Sequence, residues 1–336
     1  MRAVTWAEDS PDDERNGIKM HDVSSTARKV TRVVAGLAIA AAMAFALTGC
    51  GAKTATAPAP VTKVAAGFPV TITDDASRTV TIDAEPKRIV SLAPANTEIV
   101  YSLGIFDRVV GVTTWDDYPP QVKDVAKIGD FTTPNLEAIA AAKPDVILLT
   151  GGVQADVLSK LEGLGAKVVV IDPQDLDGVY SAISTVAKIT GTTAKGDEVV
   201  AGMKSDLAGI TAKLAAAAPT RAFIEIGWNP LFTAGPGTLL NDLVVKAGGE
   251  NVVTQKGYVS YSVEQLVKDQ PDVYLGTLSS IGDAATLAKR PGYAAISAIK
   301  AGRVFSLTDD LVSRPGPRVV EGVLEIAKAL HPDLFK

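Results

Sequence analysis

The sequence predicts an α/β fold of two similar lobes, each built on a mainly parallel sheet, joined by one long α-helix, with a ligand cleft between the lobes. Three observations predict it. Strand-like runs alternate with helical ones, one pattern occurs twice, and an alanine-rich helical stretch with no strand signal separates the two copies.

The repeat is the most informative element. Asn135-Leu136-Glu137 and Ile139 precede Pro144-Asp145-Val146, and Ser262-Val263-Glu264 and Leu266 precede Pro271-Asp272-Val273. Each copy reads as a helix opened by an Asn or Ser cap, stopped before a proline, and followed by a buried strand, Val146 to Leu149 or Val273 to Leu275. Earlier strands are expected at Arg88 to Leu92 and Arg221 to Ile226. Each leads through a loop into an apolar helix ending at Gly104 or at Gly248-Gly249. Ala166 to Ile171 and Gly302 to Leu307 close the two halves. Between them, Leu176 to Ile189 and Thr193 to Ala217 are apolar at helical spacing. The second run would span roughly 37 Å at ~1.5 Å per residue, and so stiff a tie predicts small lobe closure. This gives an N-terminal lobe at 68–172, connecting helices at 173–219 and a C-terminal lobe at 220–336.

The N-terminal segment reads differently. Arg28, Lys29 and Arg32 precede an apolar run from Val33 to Leu47, shorter than the ~20 residues of a spanning helix. Residues 1–49 therefore have the outline of a signal peptide, and Met20 offers a second possible start. Leu47-Thr48-Gly49-Cys50 resembles a bacterial lipobox, which implies cleavage before Cys50 and a diacylglycerol on its thiol. Residues 50–67, of Ala, Thr, Pro and Lys without a period, suit a tether. The folded part is expected at the extracytoplasmic face of the cell membrane, held by that lipid.

Composition removes several functions. A net charge of -5 gives no electrostatic grip on nucleic acid. Two histidines and one cysteine leave a Cys/His metal cage, a thiol catalyst and a buried Ser-His-Asp triad short of parts. Gly235-Pro236-Gly237 lacks the Lys-Ser/Thr pair of a phosphate loop. No enzyme is expected, and a surface adhesin would need neither an aromatic cleft nor matched acids.

Aromatic residues make up only 5% of the chain, yet they gather where strands should end. Trp115 stands in Trp115-Asp116-Asp117-Tyr118-Pro119-Pro120 and Phe131 follows. Trp228 and Phe232 flank Asn229-Pro230-Leu231, with Tyr258 and Tyr261 beyond. Flat faces at the carboxyl ends of parallel strands suit a large, partly apolar ligand, although packing beneath the loops is the alternative for each, Tyr261 above all.

Ala93-Pro94-Ala95-Asn96-Thr97-Glu98, Tyr118-Pro119-Pro120, Asn135-Leu136-Glu137, Lys143-Pro144-Asp145, Asn229-Pro230, Phe232-Thr233, Gly248-Gly249-Glu250-Asn251 and Pro317-Arg318 carry a resemblance. Over about 68–336 the chain is similar to the helical-backbone class (class III) of ABC-importer substrate-binding proteins, which take up cobalamin, iron-siderophores and haem. Among these it most resembles the cobalamin binders. The resemblance implies two Rossmann-like lobes. It also implies corrinoid contact by Trp115, Phe131, Phe232, Tyr258 and Asp310, with Leu149 where those binders have another pocket Trp. Arg314 would suit a siderophore carboxylate or pair with Asp310, which keeps a ferric siderophore or haem open as the cargo. Either ligand would bring its own chelated cobalt or iron, so no protein ligand to metal and no further cofactor are expected. The resemblance further implies that Glu137 and Glu264, which as first-turn acids also suit the helix dipole, meet arginines of an ABC permease dimer whose ATPase is cytoplasmic. A monomer is expected.

Overall fold

The computed structural model describes residues 67–282 and 284–336. The chain opens with a hairpin of β1 (Val70–Thr73) and β2 (Thr79–Ile82), then runs through β3 (Ile89–Ser91), α1 (Pro94–Ser102), β4 (Val109–Gly111), α2 (Leu136–Ala142), β5 (Val146–Leu149), α3 (Leu158–Glu162) and β6 (Lys167–Val170). The order β4-β3-β5-β6 forms a parallel sheet. Its central strands are buried along their whole length, as expected of parallel strands covered on both faces. Ile89, Val146 and Leu148 face one apolar cluster, and Val90, Ile147 and Leu149 face another.

The connection is a helical hairpin. Asp175 caps α4 (Leu176–Thr190) by accepting from Gly178 N at 2.7 Å, and Gly191, at φ 73°, ends it. α5 (Thr193–Leu214) then returns, and with 22 residues it is the long helix expected, three residues shorter at its C-terminal end. Its buried residues Gly196, Met203, Ile210 and Leu214 form a narrow stripe, the first three at seven-residue intervals, flanked by the partly buried Val199, Val200 and Leu207.

The second lobe comprises β7 (Thr220–Trp228), β8 (Leu231–Ala234), α6 (Leu239–Lys246), β9 (Gly249–Asn251), β10 (Tyr258–Ser260), α7 (Val263–Asp269), β11 (Val273–Thr277), the short α8 (Leu278–Ile281), α9 (Ala284–Leu287) and α10 (Ser297–Lys300), β12 (Val304–Leu307), α11 (Asp309–Ser313) and α12 (Val319–Leu330). β7, β11, β12 and β9 pair in parallel, whereas β8 and β10 extend the sheet antiparallel. Asn229-Pro230, expected in a loop leading from strand to helix, is instead the tip of a tight hairpin in which Trp228 pairs with Leu231.

The repeat extends to the caps. Asn135 accepts from Ala138 N and Ser262 from Gln265 N, both at 3.0 Å. At the opposite ends Lys143 and Gln270 adopt left-handed φ values of 45° and 44°. Arg88 donates to the carbonyls of Ala142 and Lys143, and Arg221 to those of Asp269 and Gln270. In both lobes a basic residue at the start of a strand thus satisfies the last carbonyls of the repeated helix.

One apolar cluster runs unbroken from Ile89, Ile99 and Val146, through Val179, Ile183 and Val186 of α4, to Leu243, Val244 and Val323 of the second lobe. α5 closes over this seam at Gly196, where an added Cβ would lie 2.4 Å from that of Ala187. Gly196→Val should therefore force α5 off α4 and destabilise the protein by about 1–3 kcal/mol, read as a lowered denaturant midpoint. A change below about 0.5 kcal/mol would show that the helix crossing is not tightly packed.

Candidate ligand-binding cleft

The ends of β3, β5 and β6 deliver Ala93 to Asn96, Thr150 and Ile171 to Gln174 to a cavity of about 240 Å³. Leu239, Tyr258 and Ser313 to Pro315 of the second lobe form its other wall, and Phe131 completes the lining. Three residues expected from the sequence, Phe131, Tyr258 and Arg314, therefore meet at one cavity. Partial desolvation at the cleft wall, with Asp172 across the cleft, pushes the Tyr258 hydroxyl above its usual range although the ring is half exposed.

The first-lobe loops are held by Gln154, a residue outside every motif of the sequence. Gln154 is fully buried; its amide donates to the carbonyls of Leu92 at 2.6 Å and Phe131 at 2.7 Å, while its oxygen accepts from Thr150 N at 3.0 Å. One side chain thus fixes three loops that reach the cleft, and nothing in the Gly-rich stretch around it signals this. Trp115 is 64% exposed, so it is not packing beneath its loop. Its indole N–H donates to Asp130 Oδ2 at 2.7 Å, and Asp130 also accepts from Thr132, contacts that together hold its carboxyl below the usual range. Gly151 has a specific reason to be glycine, because a Cβ there would fall 2.2 Å from Asp172 Oδ2.

In the second lobe Trp228 is also half exposed and lies 4.7 Å from the Arg290 guanidinium. Arg290 in turn makes two bonds, of 2.9 and 2.8 Å, to the fully buried Glu225, which also accepts from the Tyr274 hydroxyl. Burial pushes the Glu225 carboxyl upward against the pull of these partners. Phe232 is half-buried in β8 beside β10, the strand that carries Tyr258. Tyr261 turns the other way: its hydroxyl donates to Asp269 at 2.5 Å and its ring lies 5.6 Å from Phe223, so it belongs to the packing of this lobe. Trp115, Trp228, Phe232 and Asp310 stand outside the lining of the cavity itself.

Arg314 is not a free cation. Its guanidinium pairs with Asp117 at 2.6 Å, Asp310 at 2.7 Å and Glu98 at 3.3 Å. Arg318 adds a two-pronged grip on Glu98, at 2.9 and 2.6 Å, and stacks 4.1 Å over the Tyr118 ring. Glu98, Asp117 and Tyr118 belong to the first lobe and the arginines to the second, so this cluster pins one lobe to the other. Glu98 and Arg318, which stand in two separate motifs of the family resemblance, thus meet in the fold.

Glu137 and Glu264 are exposed in the first turns of α2 and α7. Cys50 lies outside the described residues. Among the described residues no helix is long and apolar enough to cross a membrane, and no cluster of His, Cys, Asp and Glu could hold a metal ion.

Two α/β lobes around a cleft, tied by a stiff helical hairpin, define a two-lobed solute-binding protein. The chain matches the periplasmic binding protein family over residues 89–311 and belongs to it. It is 38% identical over 318 residues to YvrC of Bacillus subtilis strain 168, an uncharacterised ABC transporter substrate-binding lipoprotein, across 92% of this chain and 99% of that protein. Among solved structures it is similar to a possible iron-binding periplasmic solute-binding protein of Staphylococcus epidermidis, with 33% identity and TM-score 0.67 over 74% of this chain and 99% of that one. It is also similar to the periplasmic vitamin B12-binding protein BtuF of Vibrio cholerae, with 27% identity and TM-score 0.65 over 73% and 96%.

The interlobe cluster should leave a measurable signature. Glu98 is 2% exposed and is the acid paired with Arg318, so Glu98→Ala would strand that guanidinium and remove the longest of the three ion pairs of Arg314, costing about 3–5 kcal/mol in chemical denaturation. The bond from Arg314 holds the Asp117 carboxyl below its usual 3.8, so its stabilisation is complete above that pH and is lost as pH falls through the lower folded value. The denaturant midpoints of the parent and Asp117→Asn should differ at pH 6 and draw together as the pH falls below 3.8. A gap that persisted in acid would remove the ion pair as its cause.

Proposed function

We propose that this protein is the extracytoplasmic solute-binding component of an ABC importer, capturing cobalamin or a related corrinoid and delivering it to the membrane permease. The observation that carries this reading is the pair of half or more exposed indoles, Trp115 and Trp228, one from each lobe at the strand ends, each oriented by a buried or hydrogen-bonded partner. The cavity of about 240 Å³ is below the ~300–1,000 Å³ of drug-sized sites, so a macrocycle would extend from it toward these rings. The likeness to the vitamin B12-binding protein agrees. Lipid on Cys50, tether residues 50–67 and a monomeric state complete the reading, and the family supports a carrier that releases its ligand unchanged.

A ferric siderophore or haem is the second reading, favoured by the likeness to the possible iron-binding protein. Against carboxylate siderophores stands the commitment of Arg314 to three acids. The visible spectrum of protein purified from cells grown with cobalamin separates these readings, because corrin, haem and ferric chelate absorb differently. Loss of ring stacking in Trp115→Ala or Trp228→Ala should weaken corrinoid binding about tenfold each, at unchanged melting temperature. Unchanged affinity in both would remove the aromatic grip.

Glu137 and Glu264 would dock to the permease. Their side chains project from equivalent helix starts and make no ion pair among the described residues. The double reversal Glu137→Arg with Glu264→Arg should abolish uptake while ligand binding by the purified protein stays the same. Undiminished uptake would remove their role.

A further inference from the structure

The polar groups of the cleft fall into two sets, those already satisfied within the protein and those left over. Arg314 is the lining cation, and it shares Glu98, Asp117 and Asp310 with Arg318 alone, so two positive charges face three negative ones. A ligand carboxylate would meet no uncompensated positive charge there.

Besides the hydroxyls of Tyr258 and Ser313, the cleft presents a donor set at one place and an acceptor at another. Asn96 lines the cavity and is 2% exposed, and its amide nitrogen has no hydrogen-bond partner. A buried amide N–H left unmade costs about 1–3 kcal/mol, which makes an orphan at a cavity wall a place where a partner is expected. It sits in the first turn of α1, nine residues long with no side-chain cap, where main-chain N–H groups are also unfilled. On the same cavity stands Asp172, whose carboxylate accepts from Thr150 Oγ1 at 3.2 Å and has the second acid Asp75 behind it, accepting from Asp172 N at 2.6 Å. The close approach of Asp172 to Gly151 keeps this carboxylate at the β5 end of the cleft.

An oxygen acceptor for Asn96 and α1, together with an N–H donor for Asp172, are the two halves of a primary carboxamide or of two neighbouring ones. We propose that this cleft selects ligands bearing neutral carboxamide groups over the same ligands bearing carboxylates, with Asn96 and the first turn of α1 taking amide oxygen and Asp172 taking amide N–H. This rests on the corrinoid reading, since a corrinoid rim carries several such amides, and it names the chemistry by which the rim is recognised. Hydrolysis of one amide to its acid preserves shape and size. It removes the donor that Asp172 would accept from and adds a negative charge beside Asp172 and Asp75.

The test is isothermal titration of the purified protein at pH 7 with cobalamin and, separately, with each isomer of its monocarboxylic acid made by mild hydrolysis of the propionamide side chains. At least one isomer should bind tenfold or more weakly than the parent. In Asp172→Asn, which keeps an acceptor and removes the charge, that gap should shrink to a few-fold. Asn96→Asp, which exchanges the orphan donor for an acid, should weaken the parent compound at least tenfold, with a melting curve confirming that the variant is folded. Parent and all isomers binding equally tightly would overturn the amide selection and leave the corrinoid reading standing. No binding of the parent compound would overturn that reading and this inference with it. Should either variant fail to fold, the isomer series on the unaltered protein still decides.

Discussion

The carboxylate of Glu98 is the group on which this architecture turns. It leaves the first turns of α1, is almost wholly out of solvent, and reaches the guanidiniums of Arg314 and Arg318 from the opposite lobe. A buried carboxylate is tolerable only because two cations and their fixed donors surround it. Those cations also anchor the segment that brings Ser313 to Pro315 to the cleft wall. The shape of the binding site and the registration of the lobes are therefore aspects of one electrostatic cluster. The apolar seam through α4 joins the same two lobes by packing. A cleft fastened both by charge and by a close-packed seam favours a pre-formed site over a wide hinge.

The two halves share their fastening as well as their plan. In each, an arginine at the start of a strand holds the carbonyl end of the repeated helix, and a polar cap holds its amide end. The exposed glutamates Glu137 and Glu264 thus stand on helices fixed at both ends. Such helices present a side chain at a defined place, which is what recognition of a rigid partner requires.

Much of this was legible in the sequence because it depends on short-range chemistry. The Asn135 and Ser262 caps, the prolines after the repeated helices and the buried strands Val146–Leu149 and Val273–Thr277 are local signals, and they stand where the pattern places them. Phe131, Tyr258 and Arg314 were legible as cleft residues through the family resemblance. The grip of Glu98 on Arg318 joins residues 220 positions apart, and the sequence holds no local mark of it. Gln154 escaped for a similar reason: a buried glutamine bonded to three backbone groups looks, in sequence, like a loop glutamine. The β7–β8 hairpin is an antiparallel element in a mainly parallel lobe, and its sequence mark is the two-residue connection Asn229-Pro230 between apolar runs. The side to which Tyr261 turns has no local mark, since it depends on the pairing of β10 with β8.

The placement of the indoles has a practical corollary. Among the described residues Trp115 and Trp228 are the two tryptophans, one in each lobe, and neither is buried in a core. The tryptophan emission of the folded domain therefore comes from two exposed rings, one emitter per lobe, without a buried background. Any strongly absorbing cargo held between the lobes would darken the protein by energy transfer. The molecule carries its own optical gauge of occupancy, and each lobe can be read separately by silencing the emitter on the other.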